Sequence, residues 1–600
     1  MNVVLLVFLA LSLLIKQQAL LVVIGLVGTL FVGFDVIRAI KKRKITVDLL
    51  AAVALVASII AREWFSVVFI NLMITSARIF GNYTENVAGL AIRSLLKLRP
   101  NKVKIKVGEQ IKEIPLMQVK IGDIVIVGSG DRLAVDGVVI EGSASIDQSS
   151  LTGESAPVSK TKGDKVLSST LNVSGSLVVK AEKIGADTTF EKIIKLVEGA
   201  QGNKVKIQTM GERFATGYVL VSLVGSIALY LITRNLSLVL SVLLVVCADD
   251  IAVAIPMAFW ASIAHAAKRG IIIKGGEFLE AVVRLKTLIV DKTGTLTRGK
   301  IKITGVIAFD DSTADGILKL VAEAESISEH PIAKAIVDYA NTKDVKFEIP
   351  SRFKEYPGRG VIVYRNKERI IAGNLTFIRS EKVKIGDKNM DEAKSFLQSG
   401  VNLVFVARKE KLLGLITFED ELRPKVRETM AEIRSLGVEN VFMLTGDNEF
   451  VARKVAREAD IRDYKANLMP KDKLDFVRSH LDSKYKLAMV GDGVNDAASL
   501  AQADIGIAMG AIGSDAAVEA ADVALMNDDF RKVKEFISIG HYTVGVARQN
   551  FVIWGIVNVL GLILVFSGHI GPSGAAAFNF ITDFFPLVNS LRLLLQSRHA

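Results

Sequence analysis

The chain has 600 residues, and at about 100–200 residues per domain this length predicts several domains rather than one. Half of the residues are hydrophobic and 23% are charged, a mixture typical of a chain that lies partly in a membrane and partly in ordinary soluble domains. The formal net charge of +12 fits either a nucleic-acid-binding protein or a membrane protein with basic cytoplasmic loops. The single cysteine excludes an internal disulfide and any metal site that needs several cysteines from one chain.

Runs of apolar residues fall into three groups along the chain. A helix that spans a bilayer needs about 20 predominantly apolar residues. We predict about eight such helices, with six or seven as the alternatives because the first run, residues 3–15, is short. No basic segment precedes that run, so we interpret it as a retained membrane segment rather than a signal peptide. The predicted spans are helices 1–4 in residues 1–82, helices 5 and 6 in residues 213–268, and helices 7 and 8 in residues 541–597.

The basic stretch at residues 41–44 lies between the second and third apolar runs, whereas the other short links between runs carry little positive charge. Under the positive-inside rule, this stretch faces the cytoplasm. With eight spans, both termini and both large soluble regions then lie on the same side, which predicts a multi-pass protein of the cell membrane. The excess of basic residues is thereby explained by the lipid bilayer, with no nucleic acid as a partner.

Two soluble regions separate the apolar groups. Residues 101–206 alternate apolar and polar residues in short runs with Gly and Asp between them, which predicts a small β-rich domain. From residue 271 to 536, apolar strands alternate with amphipathic helices, a pattern that predicts a parallel, doubly wound α/β sheet. Three of these strands run directly into polar, glycine-containing motifs at residues 291–297, 445–448 and 491–496. Because the active site of such a sheet lies at the carboxyl ends of its strands, we expect these motifs to meet.

The motif at residues 291–297 (DKTGTLT) begins with a carboxylate suited to attack phosphorus and form an acyl phosphate. In the second motif (TGDN), the Thr445 hydroxyl and the backbone N–H groups suit the binding of a phosphoryl group. In the third (GDGVND), Asp492 and Asp496 add carboxylates, which repel one another beside a phosphate unless a cation lies among them. We therefore predict bound Mg²⁺. Lys473 is a candidate to neutralise charge that develops on the phosphoryl group.

Any one of these motifs alone is also explained by a Gly-Asp turn of an α/β protein. Together and in this order, they resemble the motifs of the P-type ATPases, membrane pumps that phosphorylate and dephosphorylate one of their own aspartates. The resemblance covers nearly the whole chain. It implies an α-helical transmembrane bundle with an actuator domain in residues 101–206, a HAD-like α/β phosphorylation domain in residues 271–300 and 411–536, and an α+β nucleotide-binding domain in residues 301–410.

The resemblance also implies roles for individual residues, with Asp291 as the phosphorylated one. Asp492 and the Thr293 carbonyl are implied to bind Mg²⁺. Thr445 and Lys473 are implied to hold the phosphate, and Asn495 is assigned to the same phosphate and Mg²⁺ site. Asp447 and Asp496 are the further catalytic residues. Residues 151–155 (LTGES) would pass for a turn by themselves, but in the family this loop docks onto the phosphorylated domain. Its carboxylate, that of Glu154, then positions the water that hydrolyses the acyl phosphate.

Residues 328–331 (SEHP) resemble the His-Pro motif of the heavy-metal subgroup of this family, which implies that His330 contacts the adenine end of ATP. The other positions that match the subgroup's nucleotide pocket are Glu325, Gly358, Gly360 and Gly373. Taken alone, a His-Pro pair is also a common helix start, and the glycines at 358 and 360 are also explained by a β-turn. The order of predicted spans fits the same subgroup, with four before the actuator domain, two after it and two at the end.

The predicted sixth span contains Cys247, Asp249 and Asp250. A charged residue inside a span costs about 2.5–3.5 kcal/mol on insertion scales and indicates a functional site by default. The alternative is that both aspartates lie at a helix end and face water. Heavy-metal pumps usually carry Cys-Pro-Cys here, and an alignment on Pro256 puts Asp249 in place of the second cysteine. One thiolate with two carboxylates argues against Cu⁺ and favours Zn²⁺, Mn²⁺, Fe²⁺ or Co²⁺, with Ca²⁺, Mg²⁺ or protons as alternatives.

Three polar residues in the last two spans, Asn558, Asn579 and Asp583, complete the predicted ion site. Asn558 stands where zinc-type pumps place a lysine and copper-type pumps an asparagine, and Asn579 where zinc-type pumps place an aspartate and cobalt-type pumps a histidine. Asp583, one turn further on, could supply the missing carboxylate. Asn558 is equally explained by packing between helices. We expect the pump to take its ion from the cytoplasm or from a cytoplasmic metal donor.

These features predict an ATP-driven exporter of a divalent metal ion, with a hard cation or protons as the alternative cargo. A membrane-anchored phosphatase with the same aspartate nucleophile is a rival from another class. It needs neither residues 151–155 nor carboxylates inside a span, and the chain has both. A non-transporting membrane protein is a second rival, and the complete catalytic motifs argue against it.

Overall fold

The structure is a computed structural model. The chain divides into two compact units: the first consists of Met1–Val283 together with Glu535–Ala600, and the second consists of Arg284–Lys534. The predicted first span lies outside the described residues, and so does most of the second. The described residues are 47–76, 100–149, 157–199, 206–246 and 249–595, except 101, 109, 311, 329, 357–358, 366–367, 494–495 and 511–514, together with residue 79 and five residues between 22 and 29.

Among the described residues, one helix, Arg531–Phe566, is both long and apolar enough to cross a bilayer. Shorter apolar helices are Trp64–Ser76, Leu220–Thr233 and Leu236–Val245. The number of spans therefore stays a prediction. The helices that lie wholly or mostly in the first unit are Val47–Ile60, Trp64–Ser76, Thr189–Gly199, Lys206–Thr233, Leu236–Val245, Asp249–Lys268, Gly276–Ala281, Arg531–Phe566, Pro572–Thr582 and Phe584–Leu595.

Two of the predicted apolar runs are divided between two helices. In the sixth run, one helix ends at Val245 and the next begins at Asp249. In the last run, the helix Pro572–Thr582 is followed by Phe584–Leu595, with Asp583 between them. Asp583 thus stands at a helix end, whereas the residues immediately before Asp249 lie outside the described residues.

An apolar core joins the helices of the first unit. Gly561 permits a close helix contact, because a Cβ added there would lie 2.5 Å from Val245 Cγ1 and 3.0 Å from Phe578 Cε1. Small residues commonly occupy such positions between membrane helices. Buried members of the core include Leu55, Ile70, Leu240, Leu244, Val565 and Ala575.

The first unit also contains an antiparallel sheet, which confirms the predicted β-rich character of this region. Its order is β2-β1-β3-β7-β4-β5, with β6 paired to β4. Alternate residues of β3 are buried, and they pack with Leu133, Ile146 and Leu177 in one core. The strands of the unit are β1 Lys102–Val107, β2 Gln110–Pro115, β3 Ile124–Val127, β4 Asp136–Asp147, β5 Val158–Thr161, β6 Lys165–Val166, β7 Leu171–Lys183 and β8 Ile271–Ile273.

The second unit contains two sheets. The first is antiparallel in the order β10-β15-β14-β13-β12-β11, and the second contains parallel neighbours in the order β17-β16-β9-β18-β19-β20. The predicted parallel sheet is thereby confirmed. The strands are β9 Leu285–Asp291, β10 Thr297–Ala308, β11 Arg352–Tyr356, β12 Gly360–Arg365, β13 Glu368–Gly373, β14 Asn402–Arg408, β15 Lys411–Leu422, β16 Asn440–Leu444, β17 Asp463–Lys465, β18 Lys486–Gly491, β19 Ile505–Ala508 and β20 Val523–Leu525.

Helices cover both sheets of the second unit. Those of the antiparallel part are Ala314–Glu325, Pro331–Thr342, Leu375–Ser380 and Asp387–Gln398. Those of the parallel part are Val426–Ser435, Glu449–Glu458, Pro470–Ser479, Ala497–Gln502 and Asp515–Ala520. The central strands β9 and β18 are buried over most of their length. Near-continuous apolar sequence is what a parallel strand covered on both faces requires.

The contact at Gly561 predicts a position-specific effect on stability. Gly561→Leu should lower the stability of the protein by about 1–3 kcal/mol, because the larger side chain must displace Val245 and Phe578. The measurement is the midpoint of thermal unfolding in detergent. Gly555→Leu on the same helix is the control, since a Cβ there has no atom within 4 Å. Equal losses in the two variants would contradict the assignment of Gly561 to a helix contact.

Candidate active site

The three polar motifs lie side by side at one edge of the parallel sheet. Strand β9 lies between β16 and β18, and all three run in the same direction. Asp291, the last residue of β9, is in register with Leu444, so that Thr445 follows at the same edge. The motif at 491–496 begins with the last residue of β18. The sheet thus brings together the motifs that the sequence spreads over about 200 residues.

Lys473 is shared between two carboxylates. Its Nζ atom donates hydrogen bonds to Asp291 Oδ1 at 2.6 Å and to Asp496 Oδ1 at 2.8 Å. Asp291 is 3% exposed, and the other two residues are buried as well. Lys473 reaches the site from the first turn of the helix Pro470–Ser479, while Asp496 precedes the helix Ala497–Gln502. The structure therefore brings three of the predicted catalytic residues into direct contact.

The charges in this cluster do not balance, because one ammonium faces two carboxylates. Burial, together with the negative charge of Asp496, raises the pKa of Asp291 to about 7 although Lys473 opposes the shift. Burial also raises the pKa of Asp496. Burial alone would lower the pKa of Lys473, but the two carboxylates hold it above its ordinary value. A further cation near Asp291 would favour its ionised form.

The loop after Asp291 turns sharply at Gly294, where φ is 72°. A Cβ added at Gly294 would lie 3.4 Å from Asp492 Cβ, so the third motif packs against the first at this point. The negative charge of Asp492 also contributes to the raised pKa of Asp291. Thr293, whose carbonyl was predicted as a metal ligand, has extended backbone angles immediately before the turn.

The donors at this edge fit the requirements of Mg²⁺. Asp291 and Asp492 are neighbouring carboxylates, and the buried Asp496 Oδ2 atom accepts no hydrogen bond in the described part of the chain. No group of three or more His, Cys, Asp or Glu side chains in that part is arranged to hold a metal by itself. Mg²⁺ usually binds through one or two carboxylates and takes its remaining ligands from water and substrate phosphates. Asn495, predicted for the same site, lies outside the described residues.

Asp447 and Thr445 belong to a second cluster beside the nucleophile. The Asp447 carboxylate lies 2.6 Å from Lys292 Nζ. Asp420 Oδ2 lies 3.7 Å from the same Nζ and accepts a hydrogen bond from Thr297 Oγ1 at 2.5 Å. Thr445 is buried, and its Oγ1 atom accepts a hydrogen bond from the Asp447 N–H at 3.0 Å. Asp447 thus holds the lysine that follows the nucleophile.

Sequence reasoning missed Asp420, Thr297 and Arg423 as parts of this site. Arg423 is buried and donates hydrogen bonds to the carbonyl groups of Gly294 and Thr295. Thr297 stood at the end of a recognised motif, but its partner Asp420 lies in an acidic stretch that resembles an exposed surface. The pairing of Thr297 with Leu422 in neighbouring strands is what brings these residues to the nucleophile.

The predicted nucleotide residues occupy the antiparallel part of the second unit. Gly360 and Gly373 are paired on β12 and β13, and a Cβ on Gly360 would lie 2.2 Å from the Ala372 carbonyl oxygen. The two glycines are therefore required by the close approach of the strands. His330 caps the helix Pro331–Thr342, with its Nδ1 atom accepting from the Ile332 N–H at 3.2 Å. A neutral ring in this arrangement carries its proton on Nε2. Gly358 lies outside the described residues.

Glu325 ends the helix Ala314–Glu325 and is buried. Burial first, and then repulsion from Glu355, raises the pKa of Glu325 to about 7. A carboxyl group whose pKa is raised to near 7 in this way is often part of a binding site, although groups with a purely structural role can show the same shift.

The residues predicted for the transported ion are only partly described. Cys247 lies outside the described residues, and Asp249 and Asp250 are the first two residues of the helix Asp249–Lys268. Glu154, predicted for hydrolysis and not for the ion site, also lies outside the described residues. The amide of Asn558 donates to the Trp554 carbonyl at 2.9 Å and accepts from the Tyr218 hydroxyl at 3.3 Å. These contacts support the packing role that the sequence left open for Asn558.

Asn579 and Asp583 lie one turn apart at the end of the helix Pro572–Thr582. Asn579 is buried, and its Nδ2 atom lies 3.0 Å from the sulfur of Met73. The Asp583 N–H donates to the Asn579 carbonyl at 2.9 Å, and Asp583 is half-buried. A thioether is a soft partner, so this position combines a sulfur atom with polar oxygen and nitrogen groups.

Comparisons with known families match both soluble parts of the chain. Residues 97–198 match the P-type ATPase actuator domain, and residues 285–504 match the haloacid dehalogenase-like hydrolases. Among solved structures, a zinc-transporting PIB-type ATPase in its E2·Pi state matches with a TM-score of 0.66 and 28% identity, covering 99% of both chains.

Curated relatives match over most of their length. The chain is 34% identical over 581 residues to a manganese-exporting P-type ATPase of Mycobacterium tuberculosis, covering 94% of this chain and 81% of the relative. It is 35% identical over 579 residues to a zinc-exporting P-type ATPase of Mycobacterium marinum, covering 94% and 79%. It is 36% identical over 484 residues to a copper-exporting P-type ATPase B of Archaeoglobus fulgidus, covering 79% and 69%.

The raised pKa of Glu325 predicts how stability depends on pH. The folded state holds its proton up to about pH 7, whereas the unfolded chain releases it near pH 4.5, so this group's contribution to stability falls between these values as pH rises. Glu325→Gln should remove that fall, worth up to about 3 kcal/mol. The measurement is the difference between apparent melting temperatures at pH 5 and pH 8.

Glu355→Gln is the matched variant for this test. It keeps Glu325 but removes the neighbouring charge that helps burial to raise its pKa, so the loss of stability should still begin near pH 4.5 but should be smaller and end at a lower pH. A pH dependence that is the same in wild type and both variants would show that Glu325 is not the titrating group.

Proposed function

The chain belongs to the P-type ATPase family, and we propose that it uses ATP to export a divalent transition-metal ion through a phosphoryl-aspartate formed at Asp291. The observation that carries the proposal is the cluster at the carboxyl end of β9. There a buried aspartate nucleophile is hydrogen-bonded to Lys473 and flanked by the other two strand-end motifs. This arrangement provides an attacking oxygen, a positive charge for the phosphoryl group and neighbouring carboxylates for a metal ion.

Phosphoryl transfer follows from these positions. An Asp291 carboxylate oxygen attacks the γ-phosphorus of ATP, the bond from that phosphorus to the bridging oxygen breaks, and ADP leaves with the bond's electron pair. Lys473 and Thr445 stabilise charge on the transferring oxygens. Asp291, Asp492, Asn495 and the Thr293 carbonyl would hold Mg²⁺, which when bound neutralises charge on the phosphoryl oxygens.

Dephosphorylation needs a base on a second domain. Glu154 takes a proton from the attacking water as the new oxygen–phosphorus bond forms, and the acyl phosphate bond breaks to release phosphate and restore the Asp291 carboxylate. This role rests on the match of residues 97–198 to the actuator family and on the sequence at 151–155. Formation of the acyl phosphate at Asp291 and its hydrolysis together make one cycle of ATP hydrolysis.

ATP is proposed to bind in the antiparallel part of the second unit. Glu325 and His330 lie at the facing ends of two consecutive helices, Ala314–Glu325 and Pro331–Thr342. A carboxyl oxygen accepts from an exocyclic amine and a ring N–H donates, so the pair suits the edge of an adenine. Gly360 and Gly373 leave a pair of positions without side chains on the two adjoining strands, and Gly358 is proposed from the sequence as part of the same pocket.

The cargo is proposed from the ligand types in the sixth span and from the relatives' names. Cys247, Asp249 and Asp250 offer one soft and two hard ligands, a set that suits Mn²⁺, Zn²⁺, Fe²⁺ or Co²⁺ better than Cu⁺. Similar proteins are named exporters of manganese, zinc and copper. Asn579 and Asp583 are proposed as additional ligands, and Asn558 as a packing residue that limits the site.

The membrane arrangement is part of the same proposal. Eight spans would place the termini, the actuator and both parts of the second unit in the cytoplasm, where ATP and a metal donor are available. A hard cation or protons are the alternative cargo, because two carboxylates also suit them. A phosphatase without transport is the alternative activity, and the match to the actuator family over residues 97–198 argues against it.

Removal of the nucleophile tests the activity. Asp291→Asn should abolish ATP hydrolysis by the purified protein, because an amide cannot form the acyl phosphate. The measurement is the release of phosphate from Mg-ATP in detergent or lipid. Asp475→Asn is the control, an exposed acidic residue on the helix Pro470–Ser479. Full activity in Asp291→Asn would overturn the proposed mechanism.

An ion panel tests the cargo. ATP hydrolysis should be stimulated by one of Mn²⁺, Zn²⁺, Fe²⁺ or Co²⁺, and Asp249→Ala should abolish that stimulation because it removes a proposed ligand. Ca²⁺, K⁺, Cu⁺ and a pH series complete the panel. Activity that ignores every metal but follows pH would make protons the cargo instead.

A further inference from the structure

Arg423 connects three separate segments of the second unit through its side chain and backbone. It follows β15 directly and is 5% exposed. Its Nε atom donates to the Thr295 carbonyl at 2.7 Å, and one Nη2 donor reaches the Gly294 carbonyl at 2.8 Å. Its backbone N–H donates to the Leu296 carbonyl at 2.9 Å. Three consecutive carbonyls of the loop that follows the nucleophile are therefore held by one residue.

The same guanidinium also holds Asp528. It donates to the Asp528 carbonyl at 2.7 Å through Nη1 and to Asp528 Oδ1 at 2.5 Å through Nη2. Asp528 lies three residues before the helix Arg531–Phe566. The Asp528 carboxylate is more than half exposed, so its charge is partly screened and its oxygen holds the guanidinium mainly as a hydrogen-bond acceptor.

The carbonyls that Arg423 holds belong to the turn that sets the position of Asp291. Gly294 has a left-handed φ of 72° and packs against Asp492. A rotation of the Gly294–Thr295 peptide would therefore move the nucleophile relative to Lys473 and Asp492. Arginine suits this task because its planar donors fix several acceptors at once, which lysine does not do.

We propose that Arg423 is a positioning residue for phosphoryl transfer to Asp291, and that it links the phosphorylation loop to the chain segment that enters the helix Arg531–Phe566. This inference rests on the proposed function, since it presumes that Asp291 is phosphorylated. The hydrogen bonds of the Arg423 side chain go to Gly294, Thr295 and Asp528 and not to Asp291. Arg423 acts through the Gly294 and Thr295 carbonyls, so its loss misplaces the reacting carboxylate rather than removing a catalytic group.

The test is a single-turnover measurement of phosphoenzyme formation from radiolabelled ATP, with ATP affinity measured separately by equilibrium binding. Arg423→Gln should lower the rate of phosphorylation by about 10–100-fold, the effect of a small misplacement of reacting groups, and leave ATP affinity unchanged. Arg423→Lys should recover part of the rate. Arg434→Gln is the matched control, because Arg434 also binds a carboxylate and a carbonyl, both from Asp460, but on an exposed surface.

A second pair of variants covers the case in which Arg423→Gln does not fold. Asp528→Ala removes one acceptor of the guanidinium, whereas Asp528→Asn keeps an oxygen at that place. Phosphorylation should be slower in Asp528→Ala than in Asp528→Asn. Equal rates in these two variants, or a wild-type rate in a folded Arg423→Gln, would overturn the inference. A parallel loss of ATP affinity would do so as well.

The two proposals fail in different ways. If the wild-type protein forms no phosphoenzyme, the proposed function is wrong, and the positioning role of Arg423 is wrong with it. If the wild type is phosphorylated and Arg423→Gln is phosphorylated equally fast, only the role of Arg423 is wrong.

Discussion

The ammonium group of Lys473, held in the interior between the carboxylates of Asp291 and Asp496, is the interaction on which the candidate site depends. One positive charge cannot balance two buried carboxylates, and the pKa of Asp291 is accordingly raised to about 7. Such an arrangement leaves the site ready to accept more positive charge. Mg²⁺ that enters with ATP would supply it at the place where the phosphoryl group arrives.

The fold places this cluster by joining two sheets at one point. The chain leaves the parallel sheet after Asp291, enters the antiparallel sheet at Thr297 and returns at Leu422, which is the register partner of Thr297. The part proposed to bind ATP is therefore an insertion whose two connections run side by side next to the nucleophile. Asp420 and Arg423, at the returning connection, bind the loop at the departing one. The connections between the two sheets thus include hydrogen bonds to the loop that follows the nucleophile.

The sequence predicted the parallel sheet and the convergence of its motifs because both follow from general rules. Apolar strands that end in glycine-containing polar motifs must meet at one edge when the strands are parallel. Arg423 and Asp420 could not be predicted in the same way, because no local pattern marks them and only the pairing of β10 with β15 brings them to the loop. Their place beside the loop after the nucleophile depends on contacts between positions more than 100 residues apart.

Other features of the structure could not be predicted from residue types alone, each for a different reason. The last apolar run was expected as one span, but it is divided between the helices Pro572–Thr582 and Phe584–Leu595, since a turn between two helices leaves no mark in apolar composition. Gly360 and Gly373 matched a nucleotide-pocket pattern, and the structure adds that strand packing requires them. The raised pKa of Glu325 depends on burial and on Glu355, neither of which can be read from the sequence at 325.

Chemical identification of the phosphorylated residue tests the central claim most directly. Protein incubated briefly with radiolabelled Mg-ATP, quenched in acid and digested should carry the label on the peptide that contains Asp291. The bond should be stable in acid and cleaved by hydroxylamine, as an acyl phosphate is. Label on another residue, or no acid-stable label under conditions in which the protein hydrolyses ATP, would contradict the account.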